Sequence, residues 1–226
     1  MELAEAERAA VEGGQRIAEA GVGVANVEEP RDPVAEWEFH VQCQFKALES
    51  WARKRGCLLR VRDVPPQLPG CRPGREVIVH YDPVILRVWK VTLPGQSGVG
   101  PSGFFTPAGY LRRLRLSNLI FGDDVRFEGV LIRRAGTSLV TSQHYVQPHP
   151  GRFIPTRAEI AACLRRFGFR KVTESSWERD DGVEVGDVHD RNFIRTPDGS
   201  IEVIDVQPIL KAGANWDDVR PAGDAS

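Results

Sequence analysis

Val185-Gly186-Asp187-Val188-His189-Asp190-Arg191-Asn192-Phe193-Ile194, followed by Ile201-Glu202-Val203-Ile204-Asp205, is the stretch on which the reading of this chain turns. Pro197-Asp198-Gly199 predicts a tight turn, so two short apolar strands fold back on one another as a hairpin. That hairpin brings the ends of the stretch together, and Asp187, Asn192 and Asp205 converge on one small volume. Two carboxylates and an amide oxygen are hard oxygen ligands, the kind Mg²⁺ takes when phosphates supply the rest. An ordinary hairpin with polar loops accounts for any one of these residues. It accounts poorly for three in register between apolar strands.

The bulk properties narrow the partners. Lysine and arginine number 30 against 31 aspartates and glutamates, a net charge of -1, so no global field selects nucleic acid or a membrane surface. The cysteines Cys43, Cys57, Cys71 and Cys163 form no C-x-x-C pair and are expected to be isolated thiols. No apolar run reaches the roughly 18 residues of a membrane-spanning helix, and the acidic N-terminus lacks a secretory pattern. The expectation is a cytoplasmic protein with no nucleic-acid and no membrane partner.

Three segments are expected along the chain. Residues 1–33 are rich in Ala, Glu and Gly and read as a flexible tail, with a short helix broken at Gly13-Gly14. Residues 34–146 begin with a helix whose apolar stripe is Val34, Trp37, Val41, Phe45, Leu48 and Trp51. A hairpin around Asp82-Pro83 follows, pairing Glu76–Tyr81 with Ile85–Val91, and its second strand contains Lys90. Residues 94–106 read as a Gly-rich linker. Thr106 and Pro107 then start a helix that ends near Phe121-Gly122, and residues 125–132 and 138–143 pair around Arg134-Ala135-Gly136. In residues 147–226, Thr156 and Glu159 make a capping box for a helix buried through Ile160, Cys163, Leu164 and Phe167. The deciding stretch comes next.

Taken together, Val88-Trp89-Lys90-Val91, Val185-Gly186-Asp187…Asn192 and Asp205-Val206-Gln207 resemble the strand lysine, catalytic loop and metal-binding aspartate of the protein-kinase-like superfamily. The G-D-x-H-x-x-N form is similar to small-molecule and atypical kinases, and above all to the compact kinase-like domains of phage and mobile-element polyvalent proteins. The resemblance covers roughly residues 56–210. It implies an α+β, two-lobed fold with an antiparallel N-terminal sheet and a truncated, mainly helical C-terminal lobe. It also implies roles: Asp187 accepts the proton of a substrate hydroxyl, and His189 organises the loop or touches phosphate. Asn192 and Asp205 hold Mg²⁺ on the phosphates of ATP, and Lys90 pairs the α/β-phosphates. Gly74 opens a reduced phosphate-facing turn in place of the family's Gly-rich loop.

The sequence departs from the family in three places. The Gly-rich loop is reduced, and no acid lies between Pro107 and Phe121 to meet Lys90, leaving Asp123, Asp124 or Glu128 as substitutes. Only 21 residues follow Asp205, too few for an activation segment and its helices. The leading expectation is an ATP- and Mg²⁺-dependent phosphotransferase acting on a hydroxyl of a protein or small molecule. The alternatives are a pseudokinase or nucleotide-binding interaction module, and a partner protein that binds no nucleotide.

Overall fold

A computed structural model describes residues 2–22, 32–68, 76–97, 99–100, 103–104 and 106–221. The chain is α+β and divides into two compact units, residues 1–112 with 126–143, and residues 113–125 with 144–226. Gly74 and Cys71 lie outside the described residues; Cys43, Cys57 and Cys163 are buried free thiols. No helix among the described residues is long and apolar enough to cross a membrane.

The N-terminal unit opens with two packed helices, α1 (Leu3–Val22) and α2 (Pro33–Arg55). Over Leu3–Val22, part of the stretch 1–33 expected to be a flexible tail, the chain is instead a packed helix. Helix α1 runs unbroken through Gly13-Gly14 and buries Leu3, Ala6, Ala10 and Ala18 at helical spacing. Glycine costs a helix roughly 1 kcal/mol relative to alanine, and here close packing offsets that cost. A Cβ on Gly13 would lie 2.8 Å from the Cβ of Ala47, and one on Gly14 2.8 Å from Cγ of Gln44. Asp32 caps α2, and Gly56 ends it in the left-handed conformation (φ 71°). The α2 stripe also differs from expectation. Val41, Phe45 and Leu48 are buried, whereas Val34 and Trp37 are exposed, because the contact with α1 is made farther along at Gln44 and Ala47.

The sheet of this unit contains β1 (Leu58–Leu59), β2 (Val77–Asp82) and β3 (Arg87–Thr92). A two-residue pair, β4 (Val99–Gly100) with β5 (Gly103–Phe104), falls in the expected linker. Helix α3 (Pro107–Phe121) follows, capped by Thr106, whose Oγ1 accepts from the Gly109 N–H at 3.0 Å. Strands β6 (Arg126–Arg133) and β7 (Gly136–His144) complete the sheet in the order β1-β6-β7-β3-β2. The turn before β3 is held by Asp82, whose Oδ1 accepts from Val84 N at 2.9 Å; Ile85 and Leu86 belong to this turn and not to the strand. The sheet is not purely antiparallel, since β1 pairs parallel to β6. A bulge at Gly129 permits this: its φ is 153°, and any Cβ there would lie 2.1 Å from the Cys57 carbonyl oxygen. Val91, Leu131 and Val140 centre the core cluster, with Trp89 packed against it.

The C-terminal unit is where the expected architecture fails most. It is not mainly helical. Among the described residues its only complete α-helix is α4 (Arg157–Arg166), joined by the last turns of α3, and its other regular elements are short strands and two single 3-10 turns. These are β8 (Arg170–Lys171), β9 (Trp177–Glu178), β10 (Val183–Gly186), β11 (Phe193–Arg195), β12 (Ile201–Val203) and β13 (Gln207–Leu210). One antiparallel sheet has the order β13-β10-β9-β8, and β11 pairs with β12 separately. Turn residues recur too often here for a long helix, and the apolar residues between them come in runs of strand length. Ile160, Leu164, Trp177, Val185, Phe193 and Val203 pack in one core. Arg179 and Asp181, both nearly buried, pair at 2.5 Å, and Arg179 also donates to the Arg220 carbonyl at 3.0 Å, tying the end of the chain to this core. Burial pushes the Asp181 carboxyl up, but the Arg179 bond and charge together with the backbone N–H groups of Arg220 and Val183 outweigh it and hold the carboxyl below its ordinary value.

Candidate functional site

Two strand registers converge on the deciding stretch. Gly186 lies opposite Gln207 in the β10–β13 pair, so Asp187 leaves the end of β10 just where the chain of Asp205 enters β13. Phe193 lies opposite Val203 in the β11–β12 hairpin, and the Ile204 N–H donates to the Asn192 carbonyl at 3.0 Å. The hairpin turn closes as its sequence predicts, with the Thr196 N–H donating to Ser200 O at 3.0 Å and Gly199 at φ 88°. One antiparallel pair therefore governs Asp187 and Asp205, and a second governs Asn192 and Asp205. The predicted trio is brought to one edge of the C-terminal unit.

Asp187 has φ 57°, a left-handed backbone that few residues other than Gly, Asn and Asp adopt readily. This kink turns its carboxylate out of the sheet, with the side chain 44% exposed. Asn192, 7% exposed, sits beneath it and closes the loop. Its Nδ2 donates to the Asp187 carbonyl at 2.8 Å and to Asp187 Oδ2 at 2.9 Å. The Asp187 carbonyl can only accept, so Nδ2 is the atom turned to it and Oδ1 faces away. His189 Nε2 lies 3.4 Å from the other carboxylate oxygen, Asp187 Oδ1. Asp187 is thus held from two sides while staying open to solvent. Val188 and Phe193, both buried, anchor the loop from below.

Asp205 is exposed, two residues beyond β12 and not within it as the sequence suggested. Among the described residues no group of three or more His, Cys, Asp and Glu side chains is arranged to hold a metal ion. A cation bound here would use the Asn192 amide oxygen with Asp205 and complete its shell from phosphate and water oxygens, the habit of Mg²⁺. Lys90 is half-buried on β3 opposite Val79 and belongs to the N-terminal unit. Of the expected substitutes for the absent helix acid, Glu128 accepts a hydrogen bond from Ser142 Oγ within that same unit, and Asp123 accepts one from Ser117.

Sequence reasoning missed the second tier of support. Arg195 on β11 pairs with Glu159 at 2.5 Å, so the residue that completes the α4 capping box also clamps the hairpin. The hydrogen bond from Arg195, with those from Thr156, holds the Glu159 carboxyl down at about 2. The capping signature was visible in the sequence; its second partner, 36 positions away, carried no local signal. The Val188 N–H donates to Ser175 O at 3.1 Å, fixing the loop to the turn before β9. Chemically, the arrangement offers an accessible, oriented carboxylate, a ring nitrogen beside it and two further oxygen ligands at the same edge. Comparison with protein-family models, curated proteins and solved structures found no match to this chain.

Proposed function

We propose that the Asp187 loop transfers a phosphoryl group from ATP to a hydroxyl acceptor in a kinase-like reaction. The observation that carries this reading is the clasp of Asn192 on Asp187. It presents a carboxylate outward and leaves the amide oxygen out of the clasp, while the register brings the chain of Asp205 to the same edge. Asp187 takes the proton of the acceptor hydroxyl, and His189 orients the carboxylate through its Oδ1. Asn192 and Asp205 are the residues that would hold Mg²⁺, which supplies charge neutralisation on the phosphates. The catalysis is positioning and electrostatics, with no covalent intermediate on the protein.

A second reading is a module that binds nucleotide without transferring phosphate. It is favoured by the lack of any acid along α3 and by the engagement of Glu128 with Ser142. Thermal denaturation with ATP and MgCl₂ tests the shared premise. Saturating nucleotide at about 100 times its Kd stabilises a protein by roughly 2.7 kcal/mol. The wild type is expected to rise in Tm, and Asp205→Asn to lose the Mg²⁺-dependent part of the rise. An equal response in both proteins removes Asp205 from the site. No response in the wild type removes the nucleotide.

A further inference from the structure

Beside His189 the C-terminal unit encloses a cavity of about 670 Å³ that no role so far assigned uses. Its wall includes Arg157, Arg165, Lys171, Glu174, Trp177 and His189. Trp177 is 3% exposed, and its indole Nε1 has no hydrogen-bond partner. Nδ1 of His189 is also buried and unpartnered, although Nε2 of the same ring faces Asp187. Buried polar groups in native proteins are nearly always satisfied by protein, water or ligand. Two unsatisfied ring nitrogens in one cavity wall therefore mark a place for ligand oxygens.

The charges in the wall say which oxygens. Glu174 is shared by Lys171 at 2.8 Å and Arg157 at 3.9 Å. Asp190 is the other acid at the wall, so three cations face two carboxylates. Arg165 makes no ion pair among the described residues and stands as the uncompensated cation. The volume is in the range of small-molecule sites, roughly 300–1,000 Å³.

We infer that this cavity binds the phosphoryl acceptor, and that the acceptor is a small anionic compound bearing a hydroxyl. The inference rests on the phosphotransferase reading for the word acceptor, and on the cavity alone for the ligand class. The anionic group meets Arg165, while the hydroxyl lies towards His189 and Asp187. In the reaction the acceptor oxygen bonds the γ-phosphorus and the bond from that phosphorus to the β–γ bridging oxygen breaks. ADP leaves, and the hydroxyl proton passes to Asp187.

The experiment titrates the full ¹⁵N-labelled chain, without nucleotide or Mg²⁺, and follows the indole N–H resonance of Trp177, identified by its loss in Trp177→Phe. Glycerol 3-phosphate is the probe and glycerol the neutral control. The expected result is a saturable shift with glycerol 3-phosphate, none with glycerol at equal concentration, and a midpoint at least tenfold higher in Arg165→Glu. Arg165 is exposed, so its replacement leaves the core intact. An equal response to glycerol, or an unchanged midpoint in Arg165→Glu, overturns the inference. Tighter binding of a hexaglutamate peptide overturns the small-molecule class. Because the titration contains no nucleotide, its failure is separable from failure of the ATP thermal shift: anion binding without an ATP response retires the phosphotransferase reading and keeps the cavity's ligand.

Discussion

In the N-terminal unit Arg87 is 5% exposed, and its charge is absorbed inside the sheet. Its Nε donates to Ser142 Oγ at 2.8 Å and its terminal nitrogen to the Ser142 carbonyl at 3.0 Å, while Ser142 in turn donates to Glu128. In the C-terminal unit the order of burial is reversed. The neutral amide of Asn192 is buried, and the ionisable Asp187 and His189 stand above it with side chains 44% and 38% exposed. The first closes on itself, and the second keeps its ionisable groups facing outward. A polar network that only supports a fold places its charge where neighbours can neutralise it. The second keeps its carboxylate outside, on a left-handed backbone at φ 57°, where it is open to solvent.

The comparison breaks most readily at Asp187. Asn tolerates the left-handed backbone and keeps the shape of the side chain, so Asp187→Asn is expected to leave Tm unchanged. Phosphoryl transfer should fall by about 10²–10⁴-fold, the usual contribution of a positioned base. A single-turnover assay with ATP retaining the wild-type rate would falsify the assignment of Asp187. At Arg87 the effects exchange places. Arg87→Ala leaves the Ser142 hydroxyl and carbonyl without their donor and is expected to cost about 3 kcal/mol. For a chain of this size that is a Tm lower by roughly 6–12 °C. A variant that melts with the wild type removes the closed network from the account of stability.

Smaller changes sharpen the contrast further. Gly13→Ala improves helix propensity by up to about 1 kcal/mol but sets a methyl group 2.8 Å from the Cβ of Ala47. Overpacking costs roughly 1–3 kcal/mol, so a net loss of about 1 kcal/mol is expected in chemical denaturation. A stabilised variant would mean that α1 does not pack closely on α2. The mildest test concerns Glu159, whose folded carboxyl titrates at about 2 against an ordinary 4.5. A lowered folded value stabilises above the ordinary value and is lost as pH falls through the lowered one. Glu159→Gln should therefore melt below the wild type at pH 6, with the gap closing between about pH 4.5 and 2. A gap that stays constant across that window removes the Arg195 pairing as its cause.

The features legible in the chain were those set by near neighbours. The Thr156–Glu159 capping box, the Thr106 cap, the Asp82 turn and the Pro197-Asp198-Gly199 turn each depend on side chains reaching backbone a few positions away. The hairpin register likewise follows from its turn and brings the chain of Asp205 beside Asn192, whereas the pairing of β10 with β13 that brings it beside Asp187 is tertiary. Tertiary structure decided the rest. Gly13 and Gly14 read as helix breakers until Gln44 and Ala47 stood opposite them. The parallel pairing of β1 with β6 depends on a glycine 70 or more positions downstream, at 129, that admits the Cys57 carbonyl. The β-rich C-terminal unit and the cavity beside His189 arise from contacts among short strands. Local rules settle the conformation of a turn or a cap because both partners lie within a few bonds of each other. Which surfaces then meet is settled by burial, which has no fixed distance along the sequence.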